Sequence, residues 1–157
     1  ATRIGAMISQ VINRNCLEEL PKMPDASVDM VCSDPPYELN FMGKSWDNTG
    51  IAFDPKLYAE LFRVLKPGGL IRMFSATRTY HRVCQAMSNA GFVDMRLKAW
   101  VYGSGFPKSL NVSVKIDDMA GAERSLHPAT EDAEKWEGYG TALKPAWEVI
   151  VCARKPE

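Results

Sequence analysis

The spacing of apolar residues divides this chain into short segments of two kinds. Compact apolar runs bounded by Gly, Pro, Asp or Asn are typical of strands, and they predict strands over residues 7–12, 28–32, 70–75, 95–102 and 147–153. Apolar residues at helical spacing predict helices over residues 14–20, 54–65 and 78–89. Residues 38–50 have no period and predict a loop, and the stretch between the last two strands is expected to be irregular.

The predicted helix ends carry specific signals. Asp54-Pro55 is a capping residue followed by a first-turn proline, and Pro67-Gly68-Gly69 is expected to end the same helix. Gly91 stands where a glycine commonly closes a helix. Strands and helices alternate along most of the chain, so the sequence predicts an α/β fold with a largely parallel sheet.

The stretch Ser33-Asp34-Pro35-Pro36-Tyr37 follows the predicted strand over residues 28–32, which is expected to be buried. The two prolines remove two backbone donors and fix φ, so Asp34 and Tyr37 are expected on a stiff, non-helical turn. A carboxylate acceptor and an aromatic ring held in this way can bind a planar ligand. Ligands of open α/β sheets bind at the carboxyl ends of strands, where Asp34 and the stretch from Ser75 to Arg78 are predicted to lie.

The chain has 157 residues, of which 46% are hydrophobic, a size that predicts one domain with one core. Its 19 basic and 19 acidic residues cancel. The charges are nevertheless segregated, because residues 61–116 hold nine basic residues and one acidic residue, Asp94. A basic middle suits contact with phosphates, although solvated Lys and Arg side chains explain the charge equally well.

The four cysteines, Cys16, Cys32, Cys84 and Cys152, are widely separated and include no C-x-x-C pair. They are expected to be buried free thiols, without a disulfide framework or a metal site. The sequence has no apolar run of about 18 residues and no signal-peptide pattern. These features predict a cytoplasmic protein with no membrane association.

Several stretches together resemble the DNA amino-methyltransferases of the adenine-N6 and cytosine-N4 type, and within them the phage and prophage members that belong with restriction-modification enzymes. The stretches are Asp34 to Tyr37, Leu65-Lys66-Pro67-Gly68-Gly69, residues 103–109 and residues 143–148, joined by residues 40–47 and 77–82. The resemblance covers roughly residues 10 to 156. It implies a three-layer, Rossmann-like fold dependent on S-adenosylmethionine, with residues 1–157 as a single catalytic domain.

In this family the target base is flipped out of the duplex before its amino group is methylated. The resemblance implies that Asp34, Pro35, Pro36 and Tyr37 form the catalytic turn. The Asp34 carboxylate and the Pro35 carbonyl would accept hydrogen bonds from the amino group, and Tyr37 would stack on the base. Adenine is the expected target because the motif begins with Asp, and cytosine is the less favoured one.

The resemblance also assigns residues to S-adenosylmethionine and to double-stranded DNA. The expected cofactor contacts are Asp34, Asn15, Ser75, Lys144 and Pro145, although Lys144-Pro145 serves equally well as a turn entering a strand. The expected nucleic-acid contacts are Phe41, Lys44, Arg78, Tyr80, His81 and Lys108. Alternatives stay open for some of them, since Phe41 and Lys44 also fit a packed surface loop, and His81 is more often a solvated surface histidine.

One family signature is absent from the sequence. The F-x-G-x-G turn that binds the cofactor does not occur, because Phe106 follows its glycines instead of preceding them. The arrangement resembles the beta-class motif order, in which that turn would come after residue 157. The fold is therefore expected to be incomplete, with a C-terminal segment or a second chain supplying the cofactor half. A homodimer is a further arrangement that the sequence leaves open.

Residues 117–140 are expected to be a short remnant of the target-recognition region. Three functions remain in competition. The leading one is DNA amino-methylation, the second is a non-catalytic DNA-binding or base-recognition subunit, and the third is methylation of RNA or of a protein glutamine.

Overall fold

A computed structural model describes residues 9–40, 44–103, 109–142 and 146–157. The helices are α1 (Cys16–Glu19), α2 (Pro55–Val64), α3 (Tyr80–Asn89), α4 (Val112–Ala120) and α5 (Glu131–Lys135), and the strands are β1 (Val28–Ser33), β2 (Leu65–Ser75), β3 (Val93–Val101) and β4 (Trp147–Arg154). Short 3-10 turns occupy Leu20–Lys22, Ser45–Asp47 and Ile51–Phe53.

The four strands form one mixed sheet in the order β1-β2-β4-β3. β1 and β2 are parallel, and β4 is antiparallel to both β2 and β3. Three strands therefore run in one direction, as a largely parallel sheet requires. The prediction of parallel pairing between neighbouring strands is wrong for two of the three pairs. β4 lies between β2 and β3 and is antiparallel to both.

The core lies on one face of the sheet. Ile71 and Met73 of β2 and Val149 and Val151 of β4 are almost fully buried on this face. They pack with apolar residues of α2 and α3, namely Leu57, Tyr58, Leu61, Val83, Ala86 and Met87. Alternate residues of β2 and β4 stay half-buried or exposed on the other face. In the part of the chain that the structure describes, this one-sided covering is what an incomplete three-layer fold predicts.

Helix α2 begins as predicted and ends earlier than predicted. The Asp54 carboxylate accepts a hydrogen bond from the Lys56 N–H at 2.8 Å, and Pro55 occupies the first turn. β2 begins at Leu65, five residues before the predicted strand, because the Pro-Gly-Gly segment forms an irregularity inside β2 where the pairing with β1 shifts. A Cβ on Gly69 would lie 2.7 Å from the Lys66 carbonyl oxygen, so this bend requires glycine.

The amino-terminal prediction is partly wrong. Residues 7 and 8 of the predicted first strand lie outside the described residues, and residues 9–12 are not in a strand. The predicted helix over residues 14–20 is confirmed in a shorter form as α1, followed by the 3-10 turn at Leu20–Lys22. Leu17 and Leu20 hold this segment against the core.

The segment predicted to be irregular contains α4 and α5. Asn111 caps α4 by accepting from the Val114 N–H, and Gly121 closes the helix with φ +66°. Asp117 is fully buried and accepts four hydrogen bonds, from Arg124, from the Ala129 N–H and from the Thr130 N–H and hydroxyl. This carboxylate therefore ties the connection between α4 and α5 to α4.

Two smaller expectations also differ from the structure. The four cysteines are free, as predicted, but Cys16 and Cys32 are exposed and the other two are half-buried, so the expectation of buried thiols is wrong. β1 is only partly buried because it is an edge strand of the described sheet and one of its faces has no helix against it. Within the described ranges, no helix is both long enough and apolar enough to cross a membrane.

Candidate active site at the carboxyl ends of the strands

The strand register brings three sequence-distant segments to one edge of the sheet. Ser33 pairs with Met73, so Asp34 follows β1 beside the end of β2. Ser75 pairs with Val149, so Glu148 enters β4 at the same edge, where it also pairs with Trp100 of β3. The predicted position of Asp34 and Ser75 at the carboxyl ends of parallel strands is confirmed.

Asp34 is exposed at this edge, and the turn behind it is half-buried at Pro35 and Pro36. A proline cannot donate a backbone hydrogen bond and has a restricted φ, so the turn leaves the sheet without helical or strand pairing. An exposed carboxylate on such a turn keeps acceptor positions available to a ligand. It can bind a donor group without a large rearrangement of the backbone.

Tyr37 is half-buried and its hydroxyl lies between two carboxylates. The hydroxyl donates to Glu148 Oε2 at 3.3 Å. Burial raises the pKa of Tyr37 well above its usual range, and a hydrogen bond with Asp34 and the negative charge of Glu148 raise the pKa further. The tyrosine is therefore neutral at physiological pH, and its hydroxyl is positioned by the hydrogen bond to Glu148.

Glu148 was not selected by sequence reasoning, although it belongs to one of the stretches that resemble the methyltransferases. The available signal was a charged residue beside the apolar run from Val149 to Ala153, where a buried strand ordinarily excludes charge. Its position next to Tyr37 depends on a pairing between residues 111 positions apart, which the local pattern does not encode.

The loop after Tyr37 is closed by Asp47, a second residue that sequence reasoning missed as a site component. Asp47 is 2% exposed, and its carboxylate accepts from the Glu38 N–H at 3.0 Å and the Leu39 N–H at 3.2 Å. Glu38 and Asn40 have positive φ values of 56° and 54°, an uncommon conformation for residues other than glycine. The buried carboxylate compensates this strained backbone and fixes the exit of the Pro-Pro turn. Lys44 is exposed beside it.

Four predicted contacts lie at the end of β2 and in the segment after it, and they differ in exposure. Ser75 is 2% exposed, and its hydroxyl lies 3.4 Å from the Thr79 hydroxyl. Tyr80 is half-buried and packs against the core. Arg78 and His81 are exposed in the turn before α3 and in its first turn. Arg78 and His81 can therefore reach a ligand outside the protein, whereas Ser75 supports the turn from inside.

The described residues fit S-adenosylmethionine only in part. Asn15 is exposed, but its side chain caps α1 by accepting from the Leu17 N–H at 3.0 Å. Ser75 is enclosed, which leaves the Asp34 carboxylate as the accessible acceptor among the predicted cofactor contacts that are described. Four predicted contacts, Phe41, Lys108, Lys144 and Pro145, lie outside the described residues. Among the described residues, this edge accordingly offers one wall of a candidate site.

The basic middle of the chain is divided between structural and accessible side chains. Arg63 pairs with Glu60 and Asp25, and Lys66 pairs with Asp29 at 2.7 Å. Arg72, Arg96 and Lys98 instead line a hollow of about 230 Å³ on the uncovered face of the sheet. Arg154 and the acidic Asp94 line the same hollow, which lies on a face different from the edge that carries Asp34.

No protein-family model matches the chain. The chain is 26% identical over 122 residues to the type II methyltransferase M.HpaI of Haemophilus parainfluenzae, with 72% of this chain and 38% of that protein covered. It is 30% identical over 105 residues to the DNA adenine methyltransferase YhdJ of Escherichia coli, with 62% of this chain and 31% of YhdJ covered. The chain thus spans between 31% and 38% of the length of these two curated relatives.

Two solved structures have the same fold. One is TTHA0409 from Thermus thermophilus, assigned as a DNA modification methylase, with a TM-score of 0.56, 18% identity, and 91% of this chain and 51% of that chain covered. The other is a SAM-dependent methyltransferase from Archaeoglobus fulgidus, with a TM-score of 0.50 and 14% identity. The match covers 92% of this chain and 66% of that chain. The chain therefore has part of a Rossmann-like methyltransferase fold. The similarity to DNA methyltransferases that its motifs indicated is confirmed.

Proposed function

We propose that this chain carries the target-base part of an S-adenosylmethionine-dependent DNA methyltransferase, which modifies the exocyclic amino group of a flipped adenine, or less favourably of cytosine. The observation that carries the proposal is the exposed Asp34 carboxylate on the Pro-Pro turn, beside the constrained ring of Tyr37. The likeness to YhdJ, a DNA adenine methyltransferase, supports the choice of substrate.

The proposed role of this edge is to position the amino nitrogen. A flipped base would place its amino group against Asp34 and the Pro35 carbonyl, with its ring against Tyr37. Two acceptors on the amino hydrogens would direct the nitrogen lone pair away from the turn and toward the donor. The Asp34 carboxylate would also stabilise positive charge on that nitrogen. S-adenosylmethionine, when bound, supplies the methyl group.

The remainder of the cofactor site is proposed to come from a longer form of this protein or from a second chain. The chain spans 51% of TTHA0409, another structure of which is complexed with S-adenosyl-L-methionine. β1 lies at an edge of the described sheet, so its free side offers backbone groups to further strands. A homodimer stays a secondary proposal.

DNA contact is proposed for exposed basic residues around the same edge. Lys44, Arg78 and His81 are exposed there, and Phe41 and Lys108 are proposed on sequence alone. The helices α4 and α5 lie within residues 112–135, and we assign residues 117–140 to the remnant of target recognition within a single domain. A cytoplasmic location follows as part of the proposal, because genomic or phage DNA is its substrate.

Mass spectrometry of nucleosides tests the proposal. DNA is digested from a methylation-deficient host that expresses the complete gene, in parallel with the Asp34→Ala variant. We expect N6-methyladenine with the wild type and none above background with Asp34→Ala. Absence of both N6-methyladenine and N4-methylcytosine with well-expressed wild-type protein would exclude the proposed function. Label transfer to RNA or protein alone would reassign the substrate.

A further inference from the structure

Glu148 is a charged side chain at the start of β4, directly before the apolar run from Val149 to Ala153. It is half-buried, and Val149 and Val151 of the same strand are fully buried. A carboxylate in such a place loses solvation and persists where hydrogen bonds compensate the loss. The partner here is the Tyr37 hydroxyl at 3.3 Å, contributed from the catalytic turn.

The Tyr37 hydroxyl has one proton and two neighbouring carboxylates. Asp34 of the catalytic turn and Glu148 of β4 both act as acceptors near it. A single O–H donates strongly to one acceptor at a time. Asp34 is the exposed acceptor of the pair, and Glu148 is the half-buried one. Any donor that binds Asp34 therefore competes with Tyr37 for that carboxylate, whereas Glu148 stays available to the hydroxyl.

We propose that Glu148 is a positioning residue that holds the ring of Tyr37 while Asp34 is occupied by the amino group of the target base. This inference rests on the proposed function. Without Glu148, the Tyr37 hydroxyl has Asp34 as its remaining carboxylate and competes with the substrate for it. The ring then loses its fixed orientation at the moment when it must stack on the base.

The experiment is a double-mutant cycle in the complete protein, with DNA and S-adenosylmethionine as substrates. We compare Glu148→Ala, Tyr37→Phe and the double variant, and measure kcat and the KM for each substrate separately. We expect about a 10- to 100-fold drop in kcat for Glu148→Ala, the range that corresponds to one hydrogen bond to a charged acceptor. Tyr37→Phe should show a similar drop, and the double variant should fall no further than either single variant.

Conservative and distant controls separate positioning from general damage to the protein. Glu148→Gln retains an acceptor oxygen and should recover most of kcat. The KM for S-adenosylmethionine should stay within about twofold in all variants, because neither Glu148 nor Tyr37 is a proposed cofactor contact. Asp29→Asn changes an exposed acidic residue at the amino-terminal end of β1 and should leave kcat unchanged.

Losses that add in the double variant would overturn the inference, because Glu148 would then act independently of Tyr37. A kcat for Tyr37→Phe equal to that of the wild type would overturn it as well, even if Glu148→Ala is too unstable to assay. A wild-type protein that methylates no DNA would instead remove the proposed function. An active wild type with an additive cycle would remove the role of Glu148 alone.

Discussion

Two aspartates show how the same side chain serves opposite purposes in this molecule. Asp117 is fully buried and its carboxylate accepts four hydrogen bonds from its own chain, at 2.8 to 3.0 Å. Asp34 is exposed at the edge of the sheet, where Tyr37 is its neighbouring donor. A carboxylate with its acceptor positions filled stabilises a fold, and a carboxylate with positions still open can bind a ligand. The two residues can therefore be separated by experiment.

The largest expected effect is the loss of methyl transfer in Asp34→Ala. Removal of one preorganised electrostatic group from an active site commonly lowers kcat by about 10²- to 10³-fold. We expect a drop of at least this size with little change in the thermal midpoint, because Asp34 is exposed. Steady-state kinetics and thermal melting of the same preparation check both parts. If Asp29→Ala lost as much kcat as Asp34→Ala, the loss would come from the change in net charge and not from the position of Asp34.

Asp117→Asn is expected to show the reverse behaviour. The amide cannot accept from all the donors around it, and Arg124 would lose the nearer of its two anionic partners, at 3.0 Å. Thermal melting should show a marked decrease in the midpoint, while kcat per folded molecule should remain close to the wild-type value. A variant with unchanged stability and abolished kcat would make Asp117 part of the active site and contradict the comparison.

Asp47→Ala is expected to combine the two effects. The substitution leaves the Glu38 and Leu39 N–H groups without their buried acceptor, at a cost of about 1–3 kcal/mol for each group that stays unsatisfied. Urea denaturation should show reduced stability, and kcat should fall because the exit of the proposed catalytic turn is no longer fixed. Asp47→Asn, which keeps one acceptor oxygen, should lie between the wild type and Asp47→Ala.

The smallest expected effect concerns acid stability. The pKa of Asp117 lies below its usual range, although burial alone would raise it. The largest cause is the hydrogen bond from the Ala129 N–H, followed by those from Thr130 and Arg124. A carboxyl group whose pKa is lower in the folded state stabilises the protein above its unfolded pKa. That contribution disappears as the pH falls through the folded pKa. Stability measured from pH 7 to pH 3 should therefore decline more steeply for the wild type than for Asp117→Asn.

The elements that local patterns encode were predicted well. The cap at Asp54, the strand before Asp34 and the glycine after α3 each depend on residues close together in sequence. Helix α4 was missed even though Asn111 and Gly121 mark its ends, because Val112, Val114 and Ile116 alternate with polar residues, a spacing that does not indicate a helix. The antiparallel insertion of β4 between β2 and β3 could not be predicted, since strand order depends on contacts across the whole sheet.

The sequence predicted the central residues of the candidate site, Asp34 and Tyr37. It did not predict Asp47 and Glu148, which hold them in place. The Pro-Pro turn places Asp34 and Tyr37 within one short motif that can be recognised from the sequence. Asp47 accepts from Glu38, 9 positions away, and Glu148 accepts from Tyr37, 111 positions away. No local motif identifies hydrogen bonds between residues so far apart in sequence. Ser75 was assigned to the cofactor by the resemblance to the methyltransferases, and that assignment stays a prediction. In the structure its side chain is enclosed, with its hydroxyl 3.4 Å from the Thr79 hydroxyl.

The most direct measurement is transfer of a labelled methyl group from S-adenosylmethionine to DNA by the purified complete protein, with Asp34→Ala and Asp117→Asn assayed beside it. We predict label on the exocyclic amino group of adenine for the wild type and for folded Asp117→Asn, and none for Asp34→Ala. Transfer by Asp34→Ala at the wild-type rate would contradict the assignment of the Pro-Pro turn as the active site.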